Sequence, residues 1–201
     1  MSKVTIIGGG AAGMMAAYAA GMNGHEVHLY DGNEKLGKKI YITGKGRCNF
    51  TNAIALEEYF NGKLVTNPKF LYSAMYTFSN DMVMEFMERY GCAYKVERGD
   101  RVFPVSDHAS DVTAALRRGM EEMGVRVHLN TKVERIQTSG DAVTGLTFAD
   151  GTKERFDAVV IATGGKSYPT TGSTGDGYRF ASDCCPSWRP GIRRPAPHTV
   201  R

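Results

Sequence analysis

The 201-residue chain carries 25 Lys and Arg against 21 Asp and Glu, and it is 42% apolar and 23% charged. That composition excludes wholesale disorder and collagen-like repeats, and no stretch approaches the roughly 20 apolar residues of a membrane span. Of the net +4, +3 belongs to residues 182–201 (Arg189, Arg193, Arg194 and Arg201 against Asp183), so residues 1–181 carry +1, which argues against a nucleic-acid face.

Val4 to Ile7 is a short β-branched run that predicts a buried strand. It enters Gly8-Gly9-Gly10-Ala11-Ala12-Gly13, after which small residues predict a helix from Met14 to about Met22, stopped near Asn23-Gly24. Lys3 and the apolar, Ala-rich residues after it mimic a signal peptide, but the three glycines fall where a strand-turn-helix needs them. Glu26 to Tyr30 alternates into a second strand that ends at Asp31, completing a strand-helix-strand unit of the kind that builds a parallel sheet.

Residues 32–52 read as a long polar loop. Asn67 as cap and Pro68 at the first helical position start a helix with Leu71, Met75 and Phe78 at helical spacing. A second helix is expected from near Asn80 to Tyr90, with Met82, Val83, Phe86 and Met87 inward. Met75, Met82, Met84 and Met87 read as ordinary core more than as a plastic binding surface. Ala93 to Val96 and Arg101 to Val105 form a hairpin, and Ser106 or Asp107 caps a helix running to Met123. Val125 to Leu129 is another strand. Lys132 to Gln137, Val143 to Phe148 and Thr152 to Phe156 make an antiparallel three-stranded meander with turns at Ser139-Gly140-Asp141 and Asp150-Gly151. Ala158 to Ile161 is a fully apolar strand. Residues 183–201 hold four of the seven prolines and the single Trp188, and are expected to be irregular or disordered; the domain is expected to occupy residues 1–181 and the tail 182–201.

The chemistry lies in the glycines. Gly8-x-Gly10-x-x-Gly13 stands between a strand and a helix, with an acid 18 residues past Gly13 at the end of the next strand. Gly8 makes the tight turn, Gly10 lets the backbone approach a pyrophosphate, and Gly13 lets helix pack on strand. The helix N-terminus offers N–H groups to the phosphates. Asp31 is placed to accept the adenosine ribose hydroxyls and to reject a 2′-phosphate. Thr43-Gly44-Lys45-Gly46-Arg47-Cys48-Asn49-Phe50-Thr51-Asn52 reads equally as an anion cradle and as a solvated basic loop. Ala162-Thr163-Gly164-Gly165 follows an apolar strand at the end where α/β sheets bind ligands. Gly172-Ser173-Thr174-Gly175-Asp176-Gly177 places an acid among small residues, where Asp176 is either a ligand contact or the cap of the next helix. Cys48, Cys92, Cys184 and Cys185 lack metal-ligand spacing and point to a reducing compartment, hence the cytoplasm. No metal site, catalytic acid or catalytic base is assigned.

Together, G-G-G-A-A-G at 8–13, L-G-K-K-I at 36–40, G-K-G-R-C-N-F-T-N at 44–52, R-V-F-P-V-S at 101–106 and A-T-G-G-K-S-Y-P-T-T-G-S-T-G-D-G at 162–177 resemble the HI0933/YhiN-like flavoproteins, also called BaiN-like or aminoacetone-oxidase-like. The resemblance covers residues 3 to about 181. It implies an α/β, two-dinucleotide-binding-type FAD domain, Rossmann-like, with a parallel central sheet and the antiparallel meander. In that scheme Gly8, Gly10, Ala12 and Gly13 hold the pyrophosphate and Asp31 the ribose. Lys39, Thr43, Gly44, Gly46, Arg47, Cys48 and Asn49 line the diphosphate and flavin side. Val133 presents its backbone to the adenine, and Ala162, Thr163, Gly164, Gly165 and Asp176 approach from the second half. Two departures stand out. The hairpin loop reads Glu97-Arg98-Gly99-Asp100-Arg101 where the family has Gly directly before Arg. Residues 182–201 do not resemble the family's continuation, so the chain is expected to be an N-terminal part.

The implied function is an FAD-dependent oxidoreductase, or its N-terminal part, passing hydride between flavin and a small organic substrate, with NAD(P)H as a reductant. An FAD-binding module without turnover and an NAD-linked dehydrogenase are the alternatives. Neither a nucleic-acid nor a membrane partner is expected, whereas self-association through exposed apolar surface is.

Overall fold

The structure is a computed structural model that describes residues 1–60 and 68–184. The expected Asn67 cap, Cys185, Trp188 and most of the tail lie outside those residues. In chain order the elements are β1 (Lys3–Ile7), α1 (Ala11–Met22), β2 (Glu26–Tyr30), β3 (Thr51–Asn52), α2 (Leu56–Phe60), α3 (Pro68–Thr77), α4 (Asn80–Arg89), β4 (Tyr94–Glu97), β5 (Arg101–Pro104), α5 (Ala109–Glu122), β6 (Arg126–His128), β7 (Val133–Ser139), β8 (Ala142–Phe148), β9 (Lys153–Arg155), β10 (Ala158–Ile161) and α6 (Asp176–Cys184).

A four-stranded parallel sheet in the order β10-β1-β2-β6 organises the rest. Its strands alternate as period-2 geometry demands. Val4, Ile6, Val27 and Leu29 face α1 and α5, joining Met14, Ala17, Val112, Ala115, Leu116 and Met120 in one core. Ile7 and Tyr30 belong to the other face, where the β7-β8-β9 meander supplies Val133, Ile136, Leu146 and Phe148, α6 supplies Phe180, and Phe156 completes the cluster. A small antiparallel sheet, β3-β5-β4, lies apart. The parallel sheet is thus covered by helices on one face and by the meander on the other, which buries the hydrophobic strands of a parallel sheet.

Several expectations are corrected. The polar loop 32–52 contains a 3-10 segment over Ile40–Gly46, interrupted at Thr43–Lys45, and ends in β3. α2 had no periodic signal. On α4, Met82 is 41% exposed while Met84 is buried. Ser79 caps that helix by accepting the Met82 N–H, and this phase turns Met84 and Met87 inward together. The helix placed after Ser106 or Asp107 starts at Ala109, with His108 at the N-cap position and no side-chain capping bond. Asp107 has a left-handed backbone (φ 59), and its carboxylate is bonded to Arg47 and Lys95, so it is not a helix cap. The altered hairpin loop folds with Gly99 and Asp100 both left-handed. α6 continues through Asp183 and Cys184, where an irregular tail was expected. Among the described residues β10 is an edge strand, and Val160 and Ile161 are each 37% exposed despite its fully apolar sequence.

Candidate functional site

The glycine turn is where β1 meets α1. Gly8 adopts φ +109, and a Cβ there would lie 2.5 Å from the Ala162 carbonyl oxygen, so the ends of β1 and β10 approach only because the side chain is absent. A Cβ on Gly13 would drive into the carbonyl oxygen of Gly8, which is the close helix-on-strand contact expected of it. Gly10 is the opposite case: a Cβ would meet nothing within 4 Å. It caps α1 without a side chain, and no acid occupies the first turn, so no carboxylate of the helix itself occupies its N-terminal N–H groups.

Asp31 reaches back to this turn. Its Oδ2 accepts the Gly9 N–H at 2.6 Å, and its Oδ1 accepts the Asn33 backbone N–H at 2.8 Å and Asn33 Nδ2 at 2.7 Å. The Gly37 N–H donates to the Gly9 carbonyl at 2.8 Å, which holds the following loop against the turn. From that loop Lys39 Nζ donates to Ser173 Oγ at 2.6 Å, while Lys38 pairs with Glu34 at 2.9 Å.

These groups line one cavity of about 1170 Å³, above the roughly 300–1,000 Å³ of ordinary small-molecule sites. Its wall brings together Gly8, Gly10, Ala12, Asp31, Lys39, Thr43, Cys48, Asn49, Val133, Ala162, Thr163, Gly164, Gly165 and Asp176. Four expected residues are not in the wall. Gly13 lies beneath the turn, and Gly44 packs against Asn49. Gly46 also stays outside the wall. Arg47 is turned to the small sheet: it donates to Asp107 at 2.7 Å and to Glu97, and its guanidinium lies 4.1 Å from the Phe103 ring centre. The Lys95 ammonium and the Arg47 guanidinium together hold the Asp107 carboxyl below the usual range. Arg47 is therefore a structural cross-link of the basic loop.

Cys48 sits buried in a left-handed conformation (φ 60), and burial pushes its thiol pKa up against a weaker opposing bond with Thr43. That disfavours the thiolate. Asn49 Oδ1 accepts the Val102 N–H at 3.1 Å, fixing the loop to β5. On the far wall the Ala162 N–H donates to the Ile7 carbonyl at 2.8 Å. The Thr163 hydroxyl oxygen is buried with no hydrogen-bond partner, on the side of Gly177, where a Cβ would lie 2.5 Å from it. Asp176 stands in the first turn of α6, accepts Thr174 Oγ1 at 2.7 Å and pairs with Arg179 at 3.6 Å.

Sequence reasoning missed Gly9, Asn33 and Ser173. Asn33 had a local signal, an Asn two residues past Asp31 in a Gly-Asn turn. It also missed an apolar arm of the same cavity formed by Met15, Phe50, Phe78, Val83, Phe86 and Met87. These residues carry the same periodic pattern as core, so nothing local distinguishes them. Among the described residues no cluster of His, Cys, Asp and Glu could hold a metal ion, and no helix is long and apolar enough to cross a membrane.

Residues 2–186 match the family described as HI0933-like protein Rossmann domain. The chain is 33% identical over 183 residues to a 3-dehydro-bile acid delta(4,6)-reductase of Clostridium scindens, a match covering 90% of this chain and 43% of that protein. It is 34% identical over 177 residues to a ribosomal RNA dihydrouridine synthase of Escherichia coli, covering 88% and 42%. Among solved structures, a flavocytochrome c3 fumarate reductase superposes with a TM-score of 0.62 at 23% identity over 91% of this chain and 40% of that one, a likeness of fold. The chain spans about 43% of the length of the curated relatives it matches.

Proposed function

The chain belongs to the HI0933-like Rossmann family, and from that premise we propose that it binds FAD and acts as an FAD-dependent oxidoreductase, passing hydride between flavin and a small organic substrate. The observation that carries this reading is the single cavity joining the glycine turn, Asp31, Lys39, the Thr43–Asn49 loop and Ala162–Gly165. The residues fit a dinucleotide. Space stands open over Gly10 for a diphosphate, α1 offers its N-terminal N–H groups, and Lys39 supplies a cation. Bound FAD would supply the redox chemistry. The chain's own part is to hold the adenosine end at Asp31 and Val133, to neutralise the diphosphate, and to enclose the flavin side with Cys48 and Asn49. A purified chain titrated with FAD is expected to acquire the yellow flavin spectrum in a saturable way; binding NAD without flavin would establish the dehydrogenase reading instead.

The substrate proposal is an electron-poor carbon–carbon double bond next to a carbonyl. Both relatives' names describe saturation of such a bond, in a 3-oxo bile acid and in a uracil ring. The apolar arm and the near-neutral charge of residues 1–181 favour an apolar small molecule over RNA. NADH or NADPH is the proposed reductant. Anaerobic reduction of bound flavin by each, followed by turnover with a steroid-type enone and with a uridine-containing RNA transcript, tests all three parts.

A second reading is FAD binding without turnover. Bound flavin that NADH and NADPH both fail to reduce would support it. Self-association is proposed through β10, whose outer edge is unpaired among the described residues and whose Val160 and Ile161 are exposed. Size-exclusion chromatography checks it. A cytoplasmic location is proposed from the cysteine spacing of the sequence, which suits neither a disulfide framework nor a metal site.

A further inference from the structure

Asn33 has every polar group of its side chain engaged, and its partners lie on three separate segments. Nδ2 donates to Asp31 Oδ1 at 2.7 Å and points to the Thr171 carbonyl at 3.4 Å, and Oδ1 accepts Lys38 Nζ at 3.2 Å. Its main chain adds two more bonds: the N–H to Asp31 Oδ1 at 2.8 Å, and the carbonyl accepting the Asn130 N–H at 2.9 Å. Gly172 is shaped to this side chain, since a Cβ there would lie 2.6 Å from Asn33 Nδ2. Asn33 therefore ties the end of β2 both to the strand-turn leading into β7 and to the segment between β10 and α6.

The consequence falls on Asp31. A carboxylate offers about four acceptor sites. Asn33 takes two on Oδ1 and the Gly9 N–H takes one on Oδ2. One acceptor site remains, on Oδ2, because the Asn33 side-chain amide fills the second site on Oδ1 that its main-chain N–H leaves open. We propose that Asn33 is a positioning residue of the dinucleotide site: it locks Asp31 so that one acceptor faces the cavity and takes a single ribose hydroxyl. This rests on the FAD reading of the same cavity. It adds a residue that does not itself touch the ligand, and it makes ribose recognition depend on Gly172, 139 positions further along the chain.

The test compares hydroxyl discrimination, which a merely structural role would not move. FAD affinity is measured by flavin fluorescence, and ADP, 2′-deoxy-ADP and 3′-deoxy-ADP are then ranked as competitors against wild type, Asn33→Ala, Asn33→Ser and Asn33→Asp. Wild type is expected to favour ADP over one of the two deoxy compounds, and that one only. Asn33→Ala keeps the main-chain bond to Oδ1 but frees the second acceptor site there, and is expected to weaken FAD roughly tenfold and to erase the preference. Asn33→Ser keeps a short donor for Asp31 Oδ1 and is expected to restore the preference. Asn33→Asp sets a second carboxylate beside Asp31 in place of a donor and is expected to weaken FAD more than Asn33→Ser does. Equal loss of all three competitors in Asn33→Ala, with the ADP preference intact, would show scaffolding only and overturn the inference while leaving the FAD reading in place. A wild-type chain that binds neither FAD nor ADP overturns both.

Discussion

Lys39 Nζ donates to Ser173 Oγ at 2.6 Å, a bond across 134 positions that joins the loop after β2 to the segment before α6. The ammonium stands in the cavity wall, and Ser173 is buried. A diphosphate in that cavity would meet Lys39 already oriented by a neutral partner it can share or exchange. Lys39→Met is expected to weaken FAD binding by about 1–3 kcal/mol, the size of a charge-assisted hydrogen bond. Ser173→Ala leaves the cation in place and is expected to change affinity by less than about 1 kcal/mol. Flavin fluorescence titration of both variants checks the order; a larger effect from Ser173 than from Lys39 would make the lysine a structural prop.

The glycines at 10 and 13 make a paired prediction with opposite readouts. Gly10 has ordinary extended φ/ψ and open space where a Cβ would go. Gly10→Val is therefore expected to fold, with unchanged circular dichroism, and to lose flavin by filling the diphosphate space. Gly13→Val collides with the Gly8 carbonyl and is expected to destabilise the fold itself by more than about 2 kcal/mol, as overpacking does. A Gly10→Val protein that retains wild-type flavin would refute the placement of the diphosphate.

Asp31→Ala removes a ligand acceptor and the anchor of the Gly9 N–H together. Flavin affinity is expected to fall by about 1–3 kcal/mol. An unchanged dissociation constant would take Asp31 out of the site.

The joint between the parallel sheet and the meander carries a pH dependence. His28 is buried, with Nε2 3.1 Å from Glu26 Oε1 and Nδ1 3.1 Å from His128 Nε2. Arg126 also pairs with Glu26, at 2.9 Å. Tyr30 donates to Glu154 Oε2 at 2.6 Å, and Lys3 pairs with the same carboxylate at 2.7 Å. Burial, then the electrostatic influence of neighbouring His28, holds the His128 pKa below its usual value. A depressed folded-state pKa gives stability that is complete above the unfolded value, about 6.5, and is lost as pH falls through the folded value. Glu154 also titrates low, because Lys3 and Tyr30 outweigh its burial, so its loss follows in a more acidic window. The melting temperature is expected to decline from pH 7 to 5. His128→Phe should flatten that decline while preserving the stack on Tyr30, whose ring centre is 4.4 Å away. Melting curves of both proteins across pH decide it; parallel declines would acquit the histidine.

Much of the fold was legible because its signals are local. The β-branched runs, the Gly8-x-Gly10-x-x-Gly13 turn and the alternation of β2 state backbone geometry within a few residues of where it is used, and strand β2 appears with the expected limits. The three-stranded meander was equally readable from its turns, since Gly140 and Gly151 adopt the left-handed conformations that those turns require. Short-range sterics act on neighbours, so neighbours encode them.

What only the tertiary structure decided are the partners of charged and polar side chains, and which face of an apolar segment looks into a void. Nothing near Arg47 in the sequence announces that Glu97 and Asp107 will take its guanidinium away from the cavity. Asn33 meets Gly172, and Lys39 meets Ser173, only because β10 lies beside β1 and brings the second glycine segment onto the first. Phe86 and Met87 read as core, yet they also line the cavity because the packing of α1, α4 and α5 leaves a gap there. Such contacts are set by long-range register and packing, which depend on the whole chain at once and leave no periodic trace in any one segment.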